Sequence, residues 1–148
     1  MIPFIDDTLL TGKKMLLVED DAQIINVLRS TFYKFDCTVV AVGTVKDGLE
    51  CIRRDTFDVV ICELDLTDAD GLEFFKKARP YQKGGVNILL TDFGEKTPIP
   101  DAFELGVDNI FEKPFPLPAL IKTLAKRLEK TADHEEQDDE HRRLYAEI

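Results

Sequence analysis

Positive charge is in short supply: 19 Lys and Arg stand against 29 Asp and Glu, a formal net charge of -10 over 148 residues. Proteins that grip nucleic acid present a basic surface that displaces counterions from phosphates, so direct contact with DNA or RNA is not expected of this chain. Cysteine is scarce as well. Cys37, Cys51 and Cys62 are odd in number, widely separated and set among apolar residues, a pattern that suggests neither a disulfide framework nor a zinc cluster and reads as reduced, packed thiols. No apolar run approaches the length of a membrane span, and Met1 to Lys14 lacks a basic region followed by an apolar signal core. A cytoplasmic protein without membrane contact is therefore expected. There is no internal repeat and no low-complexity block. An apolar fraction of 44% is nevertheless enough to build one core in a chain of this length.

The apolar residues fall into an alternating rhythm. Met15 to Val18 is a short apolar run between lysines and acids, as expected of a strand buried on both faces. Asp21 is placed to cap a following helix in which Ile24, Ile25, Leu28 and Phe32 recur at helical spacing. The β-branched run Thr38 to Val42 leads into a helix opened by Thr44, with Val45, Leu49 and Ile52 on one side. Val59 to Cys62 gives a third strand, and Gly71 to Ala78 a third helix that ends before Pro80. Val86 to Leu90 is the fourth strand, followed by a short helix from about Asp101 to Leu105. Asn109 to Phe111 is the fifth strand, with Phe111 facing the core. Pro118 suits a first helical turn, and Leu120, Ile121, Leu124 and Leu128 form the last apolar stripe. Five strand–helix units imply an α/β fold with a doubly wound parallel sheet.

From about Glu129 acids dominate and the apolar period fades, as in a solvated helical extension or a partner-binding tail. The expected division is an N-terminal extension over 1–13, a folded domain over 14–128 and an acidic, helical tail over 129–148.

In open parallel α/β sheets ligands bind outside the carboxyl ends of the strands. Glu19 and Asp20 follow the first strand, Glu63 the third, Thr91 the fourth and Lys113 the fifth, so this topology brings them together. Taken singly they are ordinary: an acid at a strand end is commonly a helix cap, and a Lys-Pro pair commonly a turn. Together they are a site candidate. Clustered carboxylates repel one another and call for a hard cation, and oxygen ligands with spare water positions suit magnesium. Thr91 adds a hydroxyl, and Lys113 a positive charge able to meet a carboxylate or a phosphoryl oxygen.

Leu17-Val18-Glu19-Asp20-Asp21, the strand ending at Glu63 with Asp70-Gly71 beyond it, Leu89-Leu90-Thr91 and Lys113-Pro114-Phe115 together resemble the receiver domain of bacterial two-component response regulators, over roughly Lys14 to Leu128. The resemblance implies a flavodoxin-like fold with strand order 2-1-3-4-5. It also implies phosphoryl transfer from a histidine kinase to an aspartate ending the third strand, with Mg2+ held by the acid pair, here Glu19 and Asp20, together with the acceptor and the backbone carbonyl of Asp65. Thr91 and Lys113 match the residues that contact the phosphoryl group.

Four positions depart from that pattern. Glu63 stands where the acceptor aspartate belongs, and moving the role to Asp65 needs a two-residue slip that breaks the spacing on both sides. Leu66-Thr67 replaces the usual Met-Pro, and Ile110 occupies the place of the aromatic residue that swings inward on activation. The added methylene of Glu63 displaces the nucleophilic oxygen by more than a misplacement that already costs about a hundredfold in rate. The leading expectation is therefore an atypical receiver acting in phosphorelay signalling as a protein-interaction module. Glu63 would either partly imitate a phosphoryl group or pair internally with Lys113. The alternative is an active phosphoacceptor that takes phosphate from a histidine kinase with Mg2+, enzymatic only in catalysing its own modification. Expected partners are a histidine kinase or another signalling protein, and a second copy through the face of the fourth helix, fifth strand and fifth helix.

Overall fold

A computed structural model describes residues 7–82, 84–92 and 99–146 of the chain. Five strands alternate with five helices: β1 (Lys14–Val18), α1 (Ala22–Lys34), β2 (Thr38–Val42), α2 (Val45–Arg54), β3 (Val59–Glu63), α3 (Gly71–Ala78), β4 (Val86–Asp92), α4 (Ile99–Glu104), β5 (Asn109–Lys113) and α5 (Leu117–Ala146). The strands form one parallel sheet in the order β2-β1-β3-β4-β5. The expected doubly wound fold is therefore the observed one. Because the chain leaves β1 for β2 on one side and returns to β3 on the other, the winding reverses beside β1, where such sheets open a crevice at their carboxyl edge.

Strand alternation divides the core in two. Met15, Leu17, Val59, Ile61, Val86, Ile88 and Leu90 face one side, against Leu28 and Phe32 of α1 and Leu120, Ile121, Leu124 and Leu128 of α5. Leu16, Val18, Val60, Cys62 and Leu89 face the other, against Val45, Leu49 and Ile52 of α2, Phe74, Phe75 and Ala78 of α3, and Ala102 of α4. Phe111 packs on the α1/α5 side, as its sequence position implies, and its neighbour Ile110 on the opposite side. The expected helix-opening residues act as caps: Asp21 accepts from the amides of Gln23 and Ile24 and Thr44 from that of Asp47, and Asp70 likewise caps α3 through the amide of Glu73.

Three strands run further than their apolar residues suggest: β3 takes in Glu63, which the ladder pairs with Leu90. β4 continues through Thr91 to Asp92 and β5 through Glu112 to Lys113, because the parallel ladder pairs Thr91 with Glu112 and Asp92 with Lys113 after the apolar run has ended. Backbone pairing does not require an apolar side chain, so the polar residues expected just past these strands are their last members. α4 begins earlier than expected, at Ile99. Of the expected extension 1–13, residues 1–6 lie outside the described residues. Asp7–Leu9 forms a 3-10 turn against α5, and Leu10 is fully buried in the α1/α5-side core.

α3 begins hard against the end of β3. The Gly71 amide donates to the Leu64 carbonyl at 2.7 Å, and a Cβ at this position would lie 2.6 Å from the Glu63 carbonyl oxygen and 3.0 Å from Leu89. A helical Gly→Ala change in open space stabilises by about 0.4–1 kcal/mol. Here the collision with backbone reverses the sign, and Gly71→Ala is expected to destabilise by about 1–3 kcal/mol. Urea denaturation measures it, and a midpoint equal to or above that of the wild type would contradict the expectation.

Candidate functional site

Glu19, Glu63, Asp92 and Lys113 continue the series of strand residues that face α1 and α5, so alternation brings all four to one corner of the carboxyl edge. At its centre the Lys113 Nζ lies 2.8 Å from Glu19 Oε2 and 2.5 Å from Glu63 Oε2. Glu19 and Glu63 are buried, while the lysine side chain keeps 14% of its exposure. Among the described residues those two Oε2 atoms have no hydrogen-bond partner besides this ammonium. Each glutamate uses its other oxygen on its own loop. Glu19 Oε1 accepts from the amides of Asp20 (3.1 Å) and Asp21 (3.0 Å), and Glu63 Oε1 from the amide of Asp65 (3.1 Å).

Burial pushes the Glu63 carboxyl above its ordinary value of 4.5. The hydrogen bonds from Lys113 and Asp65 and the charge of Lys113 pull it down without cancelling the rise, and nearby Glu19 adds to it. For Lys113 burial opposes the charged form, but the hydrogen bonds to Glu19 and Glu63, with their charges, outweigh it and hold the ammonium above its ordinary value. The lysine is therefore a fixed cation at neutral pH. A carboxyl raised in the fold binds more protons folded than unfolded. The stability Glu63 contributes is thus full below about 4.5 and falls as the pH rises through its folded value.

The remaining expected residues surround this triad. Asp20 and Asp65 are exposed on the rim. Thr91 is buried, and its hydroxyl donates to the Asp92 carbonyl at 3.2 Å. Ile110 is half-buried against the α2/α3-side core. Two acids that sequence reasoning passed over also belong here. Asp92 brings its carboxylate within 4.8 Å of those of Glu63 and Asp65. Asp68 reaches across to α2, accepting from the amides of Val45 and Lys46 at 3.0 Å each, and those bonds hold its carboxyl below the ordinary value. Strand alternation running on past Leu90 could have flagged Asp92; a loop acid such as Asp68 carries no such signal.

The donor set fits a hard divalent cation, since Glu63, Asp65 and Asp92 offer oxygen alone and crowd their negative charges together. In the observed arrangement both oxygens of Glu19 and both of Glu63 are engaged by Lys113 and by loop amides.

A model of the response regulator receiver domain matches residues 15–125. The chain belongs to that family. Among curated relatives, the transcriptional regulatory protein GlrR of Escherichia coli K12 is 31% identical over 121 residues, which are 80% of this chain and 27% of GlrR, so this receiver spans about a quarter of that relative's length. Sporulation initiation phosphotransferase F of Bacillus subtilis is 25% identical over 79% of this chain and 94% of its own. Among solved structures, a CheY-like receiver domain from Methanospirillum hungatei JF-1 superposes with a TM-score of 0.79 at 22% identity, over 84% of this chain and 99% of that one. The receiver domain of sensor histidine kinase PA1611 from Pseudomonas aeruginosa PAO1 superposes with a TM-score of 0.71 at 20% identity, over 80% of this chain and 99% of its own. It was solved with magnesium in its active-site cleft.

Removing the lysine head group leaves two buried carboxylates without a counter-charge. Lys113→Met is expected to cost about 3–5 kcal/mol at pH 7, the range for breaking a buried ion pair from one side. The loss should shrink at a lower pH, because Glu63, raised above its ordinary value by burial, then takes up a proton in the fold. Urea denaturation at the two pH values measures both effects, and equal losses would refute the burial argument.

Proposed function

We propose that this receiver works in phosphorelay signalling as a protein-interaction module without standard phosphorylation, with Glu63 standing at the phosphoacceptor position. One observation carries the reading: the Lys113 ammonium is held between Glu19 and Glu63. The charge that would neutralise a transferring phosphoryl group is already committed, and both Glu63 oxygens are engaged. A nucleophile has to meet phosphorus in line and within about an ångström of its proper place. Glu63 is instead folded onto its own loop. This arrangement favours the internal ion pair over imitation of a phosphoryl group, since the carboxylate spends its charge on a fixed lysine.

Glu19, Asp20, Glu63 and the Asp65 carbonyl are the proposed Mg2+ ligands, with Glu19 and Glu63 giving up present contacts to the ion. Thr91 and Lys113 keep the positions that contact a phosphoryl group in the family, and Ile110 removes the ring whose rotation would report it. The receiver unit is assigned to 14–128, with an extension over 1–13 and an acidic helical tail over 129–148, in a cytoplasmic protein that makes no direct nucleic-acid contact through this unit. Its partners are a histidine kinase or another signalling protein, met without phosphate transfer, and a second copy through α4, β5 and α5. On that face Ile99 and Phe103, one helical turn apart in α4, are 47% and 49% exposed.

With saturating acetyl phosphate and Mg2+, intact-mass measurement should find the wild type unmodified, while Glu63→Asp gains a phosphoryl group. Modification of the wild type would overturn the proposal. Ile99→Ser with Phe103→Ser should leave folding intact and weaken self-association in sedimentation experiments by about tenfold, as for loss of about 1.4 kcal/mol of apolar contact. Unchanged association would move the interface elsewhere.

A further inference from the structure

A groove of about 510 Å3 runs between α1 and the segment from Lys113 to Leu117, lined on its apolar sides by Ile24, Leu28 and Phe115. Its polar lining includes Asp92 and Lys113, which are register partners at the ends of β4 and β5. The groove therefore leads to the ammonium and, through it, to Glu63. Asp92 stands at that junction twice over: it lines the groove, and its carboxylate lies within 4.8 Å of those of Glu63 and Asp65. Among the described residues, Lys113 is the only cation lining the groove, and it is spent on Glu19 and Glu63. Among the described residues, the exposed charge of Asp92 thus has no cation of its own in the groove.

We propose that Asp92 is a specificity-determining residue that turns anionic phosphoryl donors away, a barrier to phosphotransfer separate from the length of Glu63. The inference rests on the proposed reading of Glu63 as a residue that does not accept phosphate. Like charge at the mouth of a low-dielectric cleft is focused into it, and such fields change encounter rates by about tenfold or more. The effect is electrostatic, so it depends on the charge of the side chain at 92 and weakens with salt.

The test uses Glu63→Asp as a background in which the acceptor length is restored, and phosphoramidate with saturating Mg2+ as the donor. There a carboxylate oxygen of the introduced aspartate bonds to phosphorus, the phosphorus–nitrogen bond breaks, and the nitrogen, already protonated in the donor, leaves as ammonia. Labelling rates are compared for Glu63→Asp alone and combined with Asp92→Asn or Asp92→Ala, at low and high ionic strength. The expected result is at least a tenfold faster rate in both double variants, shrinking with salt, while Asp92→Asn alone remains unlabelled. Equal rates in single and double variants would overturn the proposal. So would acceleration by Ala but not Asn, which would make bulk the barrier, or slower labelling, which would make Asp92 a magnesium ligand. Absence of labelling in every variant would overturn it too, because a barrier would remain after its removal. Labelling of the unmodified protein is a different outcome: it would defeat the reading of Glu63 itself.

Discussion

A single ammonium ties together the carboxyl ends of β1, β3 and β5. Lys113 arrives from β5 and meets Glu19 from β1 and Glu63 from β3, and neither glutamate Oε2 has another hydrogen-bond partner among the described residues. Buried charge is tolerable when it is paired and its remaining lone pairs are used, and both conditions hold here. The Oε1 of Glu19 fixes the amides of Asp20 and Asp21, which places Asp21 to cap α1. The Oε1 of Glu63 fixes the amide of Asp65 at the start of the following loop. Further along that loop Asp68 binds two amides at the start of α2, and Asp70 caps α3. The acids around this corner thus serve as hydrogen-bond acceptors for the chain, and the loops they hold are positioned relative to one lysine.

The fold was legible because buried parallel strands and amphipathic helices leave different periods in the sequence. Leu16 and Leu17 face opposite cores, and the same alternation sorted Ile110 from Phe111. What alternation could not give was the end of a strand whose last residues are polar, so β3, β4 and β5 each run on past their apolar stretch. The site was legible in its members, since Glu19, Glu63 and Lys113 all stand at strand ends, and an internal pair between Glu63 and Lys113 was one of two arrangements the sequence left open. The three-way pairing was not legible. Which carboxylate meets the lysine depends on strand register and side-chain length, and Glu19, grouped with Asp20 as a cation ligand by its place in the sequence, turns inward while Asp20 stays on the rim. Asp68 was hidden for a simpler reason. Its partners are 22 and 23 residues away, on a helix brought near by the sheet.

The triad also bears on how such a domain could change state. A ligand shifts a conformational equilibrium only by its difference in affinity for the two states. In a receiver that accepts phosphate, the phosphoryl group supplies that difference by recruiting the lysine and the hydroxyl at the ends of the last two strands. In this chain Lys113 already has two anions, so a newly arriving anion must displace a buried partner and leave a carboxylate exposed to a low dielectric. The gain from the new contact is then offset by the contact broken, and little free energy is left to move α4 and β5. On the proposed reading, the bias has to come from outside the triad, from a surface that contacts a partner in one state more than in the other. The apolar side chains of α4 are suited to that, because burying Ile99 and Phe103 against a partner leaves the ion pairs intact. A domain built this way would report the presence of its partner rather than its own modification.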